Sequence, residues 1–521
     1  MSPVMLDAPA VAPVNAPTLR LNKFEQMKRA KDGLDALPDI ERCIDAGPAA
    51  KISEDDAQRM KWFGLFTRKQ TPGHMMMRVR SVCGRMDSRQ WHMLADLSDE
   101  HGHGFCDLTT RQQVQLRWFT IADVPEIWQR MISVGLTSVQ TGMDNIRGVC
   151  GCPAAGISPH ETVDGTRAAE DFTDIFLGNK RFTNLPRKLN VTITGCRENC
   201  CHPETQDIGL VPAKSKVHGR EVAGFNVLVG GKQGSGGMRL GTPLDVFALP
   251  EEAADLCRHI TLIFRDFGPR EARNRARLAF LVEERGIDWF REELQRRCSY
   301  TLRSAGEDQR YSGHTDHVGI HPQRQAGLFY AGLLVPVGRI TTAQMRGVAD
   351  LAERYGNGEI RLTAGQNVVL PGIHESQLAD FEREPILAEL PHNPSPIMRG
   401  LVSCTGIDYC HMALIETKGW AIEVAKRLEA ELGDEAHNIA PLSIRWSGCS
   451  AGCGLHQAGT IGLQACRSRQ ADGQIVDAAH VFVGGEAGPQ AQAGEELFTD
   501  VPCEDLSRAM LPIIKYLPRK S

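Results

Sequence analysis

No stretch of this chain approaches the roughly 20 consecutive apolar residues that a membrane-spanning helix needs, so no membrane span is expected. Positive charge is not in excess either. Lys and Arg number 59 against 64 Asp and Glu, a net charge of -5, which gives no general case for nucleic-acid binding. Met1 to Leu19 are rich in Ala, Pro and Val and hold no basic residue, so a mobile tail is expected at 1–19 rather than a secretory signal or an Arg-rich transit peptide. A nucleotide fingerprint is missing too. The glycine-rich stretch Gly230 to Gly237 lacks the G-x-G-x-x-G order, and Gln233 follows Lys232 where a P-loop needs Ser or Thr, so direct use of a nicotinamide is not expected. A loop passing close to a cofactor is the expected role of that stretch, with a plain turn as the alternative. Without a secretory signal, sixteen cysteines read as thiols kept reduced in a cytoplasm, available to metals rather than disulfides.

What is present is an internal repeat. Residues 84–116 lie on 338–370 without a gap, matching Gly84 with Gly338, Gln90 with Gln344, Gly102 with Gly356, Gln112 with Gln366 and Leu116 with Leu370. The register returns at Val227-Leu-Val-Gly-Gly231 and Val481-Phe-Val-Gly-Gly485. Two copies of one unit follow, and alternation of strand and helix signals in each argues for mixed α and β layers. Each unit is expected to open with a strand (His74–Arg80 in the first), run through a helix (88–100; 342–355) closed by glycines, and return in a strand ending near Leu116 or Leu370. Residues 299–326, polar and rich in Gly, Ser and His, read as the connector between units.

The chemistry-bearing stretch runs from Cys404 to Cys453. Cys404-x5-Cys410 and Cys449-x3-Cys453 both sit in turn-like sequence, the second pair delivered by a strand with Leu442, Ile444 and Trp446 on one face. Four thiolates from two loops suit an iron-sulfur or a zinc centre, and the five-residue gap leans away from structural zinc. Buried unligated cysteines are the plainer alternative. His411, His456 and Trp446 flank the set and read as packing. In the first unit the equivalent positions are Cys152, Ser158, Cys196 and Cys200, one thiol short, so that set reads as a relic or as packing.

The first unit offers cations instead. Arg78 and Arg80 share a strand face, Lys188 and Asn190 share another after Pro186, and Arg111 and Arg147 follow turns. Such residues usually meet solvent, but basic groups at the ends of several elements can also form a pocket for a polyanionic cofactor and a small anion, since buried cations need counter-charges.

These residues resemble the siroheme and iron-sulfur nitrite and sulfite reductases, and more closely the ferredoxin-dependent nitrite reductases. The resemblance runs through Leu21-Asn-Lys-Phe-Glu25, Lys61-Trp-Phe-Gly64, Thr109-Thr-Arg-Gln112, Gly142-Met-Asp-Asn145, Phe182-Thr-Asn-Leu-Pro-Arg-Lys-Leu-Asn190 and Gly224-Phe-Asn-Val-Leu-Val-Gly-Gly231 to the four cysteines. It implies an α/β (α+β), three-domain fold with pseudo-two-fold symmetry, built from a duplicated ferredoxin-like half-domain plus siroheme and iron-sulfur domain. The expected spans are 20–130, 131–298, 299–385 and 386–521. The resemblance further implies that Cys404, Cys410, Cys449 and Cys453 hold a 4Fe-4S cluster and that Cys453 bridges to siroheme iron. Arg78, Arg147, Lys188 and Asn190 would meet the substrate anion, while Arg111 and Gln115 would touch siroheme. Sulfite reductases typically place Lys where Asn190 stands; nitrite carries less charge than sulfite, so nitrite is the expected substrate and its reduction to ammonia in nitrate assimilation the expected activity. The last cysteine loop departs from the family's Gly-Cys-Pro-Asn-Ser-Cys, holding Ser450, Ala451 and Gly452 between its ligands. Cys150, Cys152 and Cys200 stand where small residues are usual, as packing or near siroheme. An external carrier, ferredoxin, is the expected electron donor, docking on a basic patch of Lys51, Arg59, Lys61, Arg68 and Lys69. A cytoplasmic monomer is expected. The rival readings are a sulfite reductase on the same frame and a non-enzymatic, metal-stabilised binding protein.

Overall fold

The computed structural model describes residues 21–47, 51–234, 237–313 and 315–517, so the expected tail lies outside the described residues. The repeat has a structural counterpart in four five-stranded sheets, two per unit.

The first sheet runs 65–67, 75–79, 114–119, 105–108 and then 339–341, a strand of the second unit. Its counterpart runs 319–322, 328–333, 368–374, 359–362 and then 85–87, a strand of the first unit. Each unit therefore gives its third strand to the other, with Arg339 opposite Asp107 and Arg85 opposite Arg361. The helices that follow these exchanged strands, Ser88–His101 and Thr342–Tyr355, pack on one another. Both begin in a capping box, which explains the matched glutamines: Gln90 closes a box with Asp87 and Gln344 one with Thr341, satisfying orphan N–H groups of the first turn. One hydrophobic core serves both halves, with Met77, Leu94 and Leu116 packed among Ile340, Val348 and Leu370.

The other two sheets carry the site. In the second unit, strands 401–403, 444–447 and 461–469 run parallel and 475–483 and 495–502 complete the sheet antiparallel. In the first unit, 191–193 pairs parallel with 208–217, followed by 220–229 and 242–248, while 307–308 pairs at the far edge. The helix Lys418–Leu432 covers its sheet with Ala421, Val424 and Leu428 inward and stops at Gly433.

Three expectations need correction. The returning strand in each unit is two strands, 105–108 and 114–119 in the first, because the turn at 109–113 reverses the chain. The stretch after Pro186 is regular only over 191–193, although Leu189 is buried on the same apolar face. The presumed connector already contains strand 307–308 and the second unit's opening strand 319–322.

Candidate functional site

Parallel pairing sets the cysteines. Ser403 lies opposite Trp446, so the chain leaves two neighbouring strands at the same sheet edge, and Cys404 and Cys449 follow at once. Cys404 Sγ accepts the Gly448 N–H at 3.1 Å and Cys449 Sγ the Ala451 N–H at 3.4 Å. Burial pushes the Cys449 thiol up to about 11, and Cys453, Cys410 and Cys404 add to the rise; Cys404, Cys410 and Cys453 line one cavity. Thiolates that share a site repel one another unless a soft cation balances them, and the backbone N–H donors are placed for anionic sulfur.

A buried glutamine fixes the exit of Cys404. The Gln366 amide donates to Leu108 O at 2.9 Å and accepts the Ser403 N–H at 3.0 Å, one residue before the ligand. Gln112 does the same in the first unit, donating to Leu362 O at 2.8 Å and accepting the Gly151 N–H at 3.0 Å. The matched pair in the repeat is thus a pair of struts between units.

Cys453 borders two adjoining cavities. The first also meets Arg68, Arg78, Arg111, Gln115 and Arg117; the second meets Arg111, Lys188, Asn190, Gln206 and Gln233. Arg78, Gln115, Asp107 and Arg339 form one cross-strand row, which turns a polar face of the first sheet to the cysteines. The loop at 233–234 closes the other side against the second unit. A Cβ at Gly234 would fall 2.3 Å from Ala451 O, its φ of +90° suits glycine, and Gln233 beside it lines the cavity.

The walls are short of negative charge. Among the described residues Arg78, Arg111 and Lys188 form no salt bridge. Burial, then Arg111 and Arg68, hold the Arg78 guanidinium well below its usual range; burial, then Arg277 and Arg111, do the same to Lys188. Arg78 Nε, Arg111 Nε, Asn190 Oδ1 and both polar atoms of Gln233 are buried with no hydrogen-bond partner. Unpaired buried polar groups facing one cleft are what a polar ligand would satisfy. A polycarboxylate macrocycle and a small anion meet that demand.

Arg147 lies just behind, its Nη1 on Thr141 O at 2.5 Å, where it acts on Arg78 and Arg111 without lining either cavity. Arg80 is spent on the backbone of Val139, Gln140, Ile146 and Arg147. His456 and Trp446 are buried packing, and His411 opens onto a surface groove. Of the three extra cysteines only Cys150 faces Arg111, and burial pushes its thiol up to about 12. Cys152 and Cys200 turn the other way, towards His317, while Ser158 instead accepts the His160 N–H.

Several wall residues escaped the sequence reading. Asp107 binds Arg117 at 2.6 Å, Arg339 at 3.1 Å and Lys418 at 3.4 Å. Burial alone would raise its carboxyl, yet these three cations hold it well below the usual range. Arg117 stands two residues from Gln115 on one strand, so alternation could have found it. The basic docking patch is not uniform. Arg59 is only 9 % exposed, with Nη2 on Met27 O, and Arg68 faces the cleft. Lys61 and Lys69 share their groove with Glu54.

The chain is 42% identical over 503 residues to the ferredoxin–nitrite reductase of Synechococcus elongatus, covering 95% of this chain and 96% of that one. The chain belongs to the nitrite and sulphite reductase family. The family's ferredoxin-like half domain matches residues 67–134 and 321–388, and its 4Fe-4S domain matches 142–302. The latter is the first-unit copy, so the four cysteines of this reductase lie in its repeat. The assimilatory ferredoxin-dependent nitrite reductase of Haloferax mediterranei is 36% identical, covering 93% of this chain and 85% of the other. The solved structure of Mycobacterium tuberculosis NirA protein superposes with a TM-score of 0.89 at 29% identity, covering 96% and 94% of the two chains.

Proposed function

We propose that this protein is an oxidoreductase that reduces nitrite to ammonia with six electrons taken one at a time from ferredoxin. It would use a 4Fe-4S cluster on Cys404, Cys410, Cys449 and Cys453 and a siroheme seated in the cleft. The observation that carries this reading is the position of Cys453, in the wall of both cavities, beside Cys404 and Cys410 in the first and facing cations of the opposite unit in each. Bound there, siroheme and the cluster would supply the electrons one at a time to the substrate anion.

The chain's own residues do the rest. Arg111 would neutralise carboxylates of the macrocycle and Gln115 would bind beside it. Arg78 and Lys188 would meet the nitrite oxygens, with Arg147 reinforcing the field from behind, so charge leaving with each oxygen is received by dipoles and cations already in place. Conversion of nitrite to ammonium takes up eight protons with the six electrons and releases two waters. Lys188, whose ammonium is destabilised by burial and by Arg277 and Arg111, is suited to give up a proton from Nζ and regain it from water. Asn190 holds its backbone on Asp207 at 2.7 Å and keeps its side chain for the cleft, where an uncharged amide favours nitrite over doubly charged sulfite.

No helix among the described residues is long and apolar enough to cross a membrane. The sixteen free thiols suit a reducing cytoplasm, and a chain that supplies every proposed ligand itself suits a monomer. A steady-state assay with reduced ferredoxin should give a much higher kcat/KM for nitrite than for sulfite. Equal or better turnover of sulfite would reject the substrate assignment.

A further inference from the structure

The first unit's cysteines form a site of their own. Cys152 Sγ, Cys200 Sγ and a ring nitrogen of His317 all lie within 4.8 Å of one another, and all three residues are buried. Cys196 hydrogen-bonds to Cys152, stands just outside that trio and is 1 % exposed. We propose that Cys152, Cys196, Cys200 and His317 bind one zinc ion in a tetrahedral, three-sulfur, one-nitrogen site separate from the redox centre.

The spacing of Cys152 and His317 suits a single ion. Zn–S of about 2.3 Å and Zn–N of about 2.0–2.1 Å in a tetrahedron put sulfur and nitrogen about 3.5–3.6 Å apart. Cys152 Sγ lies 3.6 Å from His317 Nε2. Structural zinc sites pair cysteines two to four residues apart, and Cys196-x3-Cys200 fits where Cys404-x5-Cys410 does not. The other ring nitrogen, Nδ1, is 3.0 Å from the Tyr330 hydroxyl, which fixes the ring with Nε2 towards the thiols, as an outer partner does for a ligating histidine.

His317 holds this position against local preference: its φ is +61°, a left-handed backbone that side chains rarely adopt. It comes from the segment joining the units and fills the corner left by Ser158, which points elsewhere. The Cys196 thiol donates to Glu198 at 3.3 Å and must turn from that carboxylate to reach the ion. Binding releases the three thiol protons to solvent, leaving a closed site with no position open for substrate. Its role is to clamp the joining segment onto the loops at 152 and 196–200.

The test is elemental analysis and zinc K-edge X-ray absorption on the full chain as isolated, since the zinc edge is blind to iron. One zinc per chain is expected, with three sulfurs at about 2.3 Å and one nitrogen at about 2.0–2.1 Å. Cys152→Ser and His317→Ala should each lose the zinc while iron per chain stays unchanged. Zinc at background level after growth with added zinc, a shell dominated by oxygen or nitrogen, or full zinc retention in Cys152→Ser would each overturn the proposal. Should a variant fail to fold, the absorption spectrum of the unaltered protein decides alone.

Discussion

Thr110 Oγ1 lies 3.2 Å from the carbonyl oxygen of Cys453 and donates to it, so a residue of the first unit holds the backbone of the outermost cysteine of the second. The proposed bridging thiol is thereby registered against the cationic wall rather than left to its own loop.

Cys453→Ser removes the sulfur common to both cavities. The variant should lose cluster absorbance and nitrite turnover, with any retained siroheme spectrally uncoupled. A fully active serine variant would rule out the bridging role.

Asn190→Lys adds a cation to the second cavity without disturbing the backbone bond to Asp207. The ratio of kcat/KM for nitrite over sulfite should fall by about tenfold, equivalent to about 1.4 kcal/mol. An unchanged ratio would show that selectivity lies elsewhere.

Gln366→Ala strips a partner from both Leu108 O and the Ser403 N–H, at a cost of about 1–3 kcal/mol for each buried group left unpaired. Because Cys404 follows directly, iron content and the cluster's paramagnetic signal should fall more than total helix content by circular dichroism. Loss of both in step would make the glutamine merely structural.

Asp107→Asn leaves Arg117, Arg339 and Lys418 without their shared carboxylate, and removing one partner of a buried ion pair costs about 3–5 kcal/mol. The folded carboxyl titrates below the ~3.9 of an unfolded aspartate, so its stabilisation is complete above about pH 5 and disappears as pH falls through the folded value. Thermal melts should therefore separate variant from parent at neutral pH and converge in acid. A constant gap across that range would contradict the assignment.

Local periodicity and self-similarity made the duplication legible, including the matched pairs Gln90 with Gln344 and Gln112 with Gln366, whose roles as capping residues and struts come only from the folded chain. The four cysteines stood out because paired thiols in turns have few other uses, and the fold brings three of them, Cys404, Cys410 and Cys453, to one cavity. Asp107 was not: its repeat counterpart is Arg361, and nothing local marks an aspartate that faces three cations from distant segments. Arg59 and Arg68, read as surface charge, turn inward for the same reason, since composition alone does not say which side of a segment is wet. The exchange of third strands left no trace either, because edge pairing is decided by partners far along the chain.

That exchange sets an order on biosynthesis. The strand at 85–87 leaves the ribosome early, but its hydrogen-bonding neighbour at 359–362 is translated only after most of the chain. Until then the nascent polypeptide carries an unfinished sheet margin, so the N-terminal half can complete its pairing only after the second unit has been made.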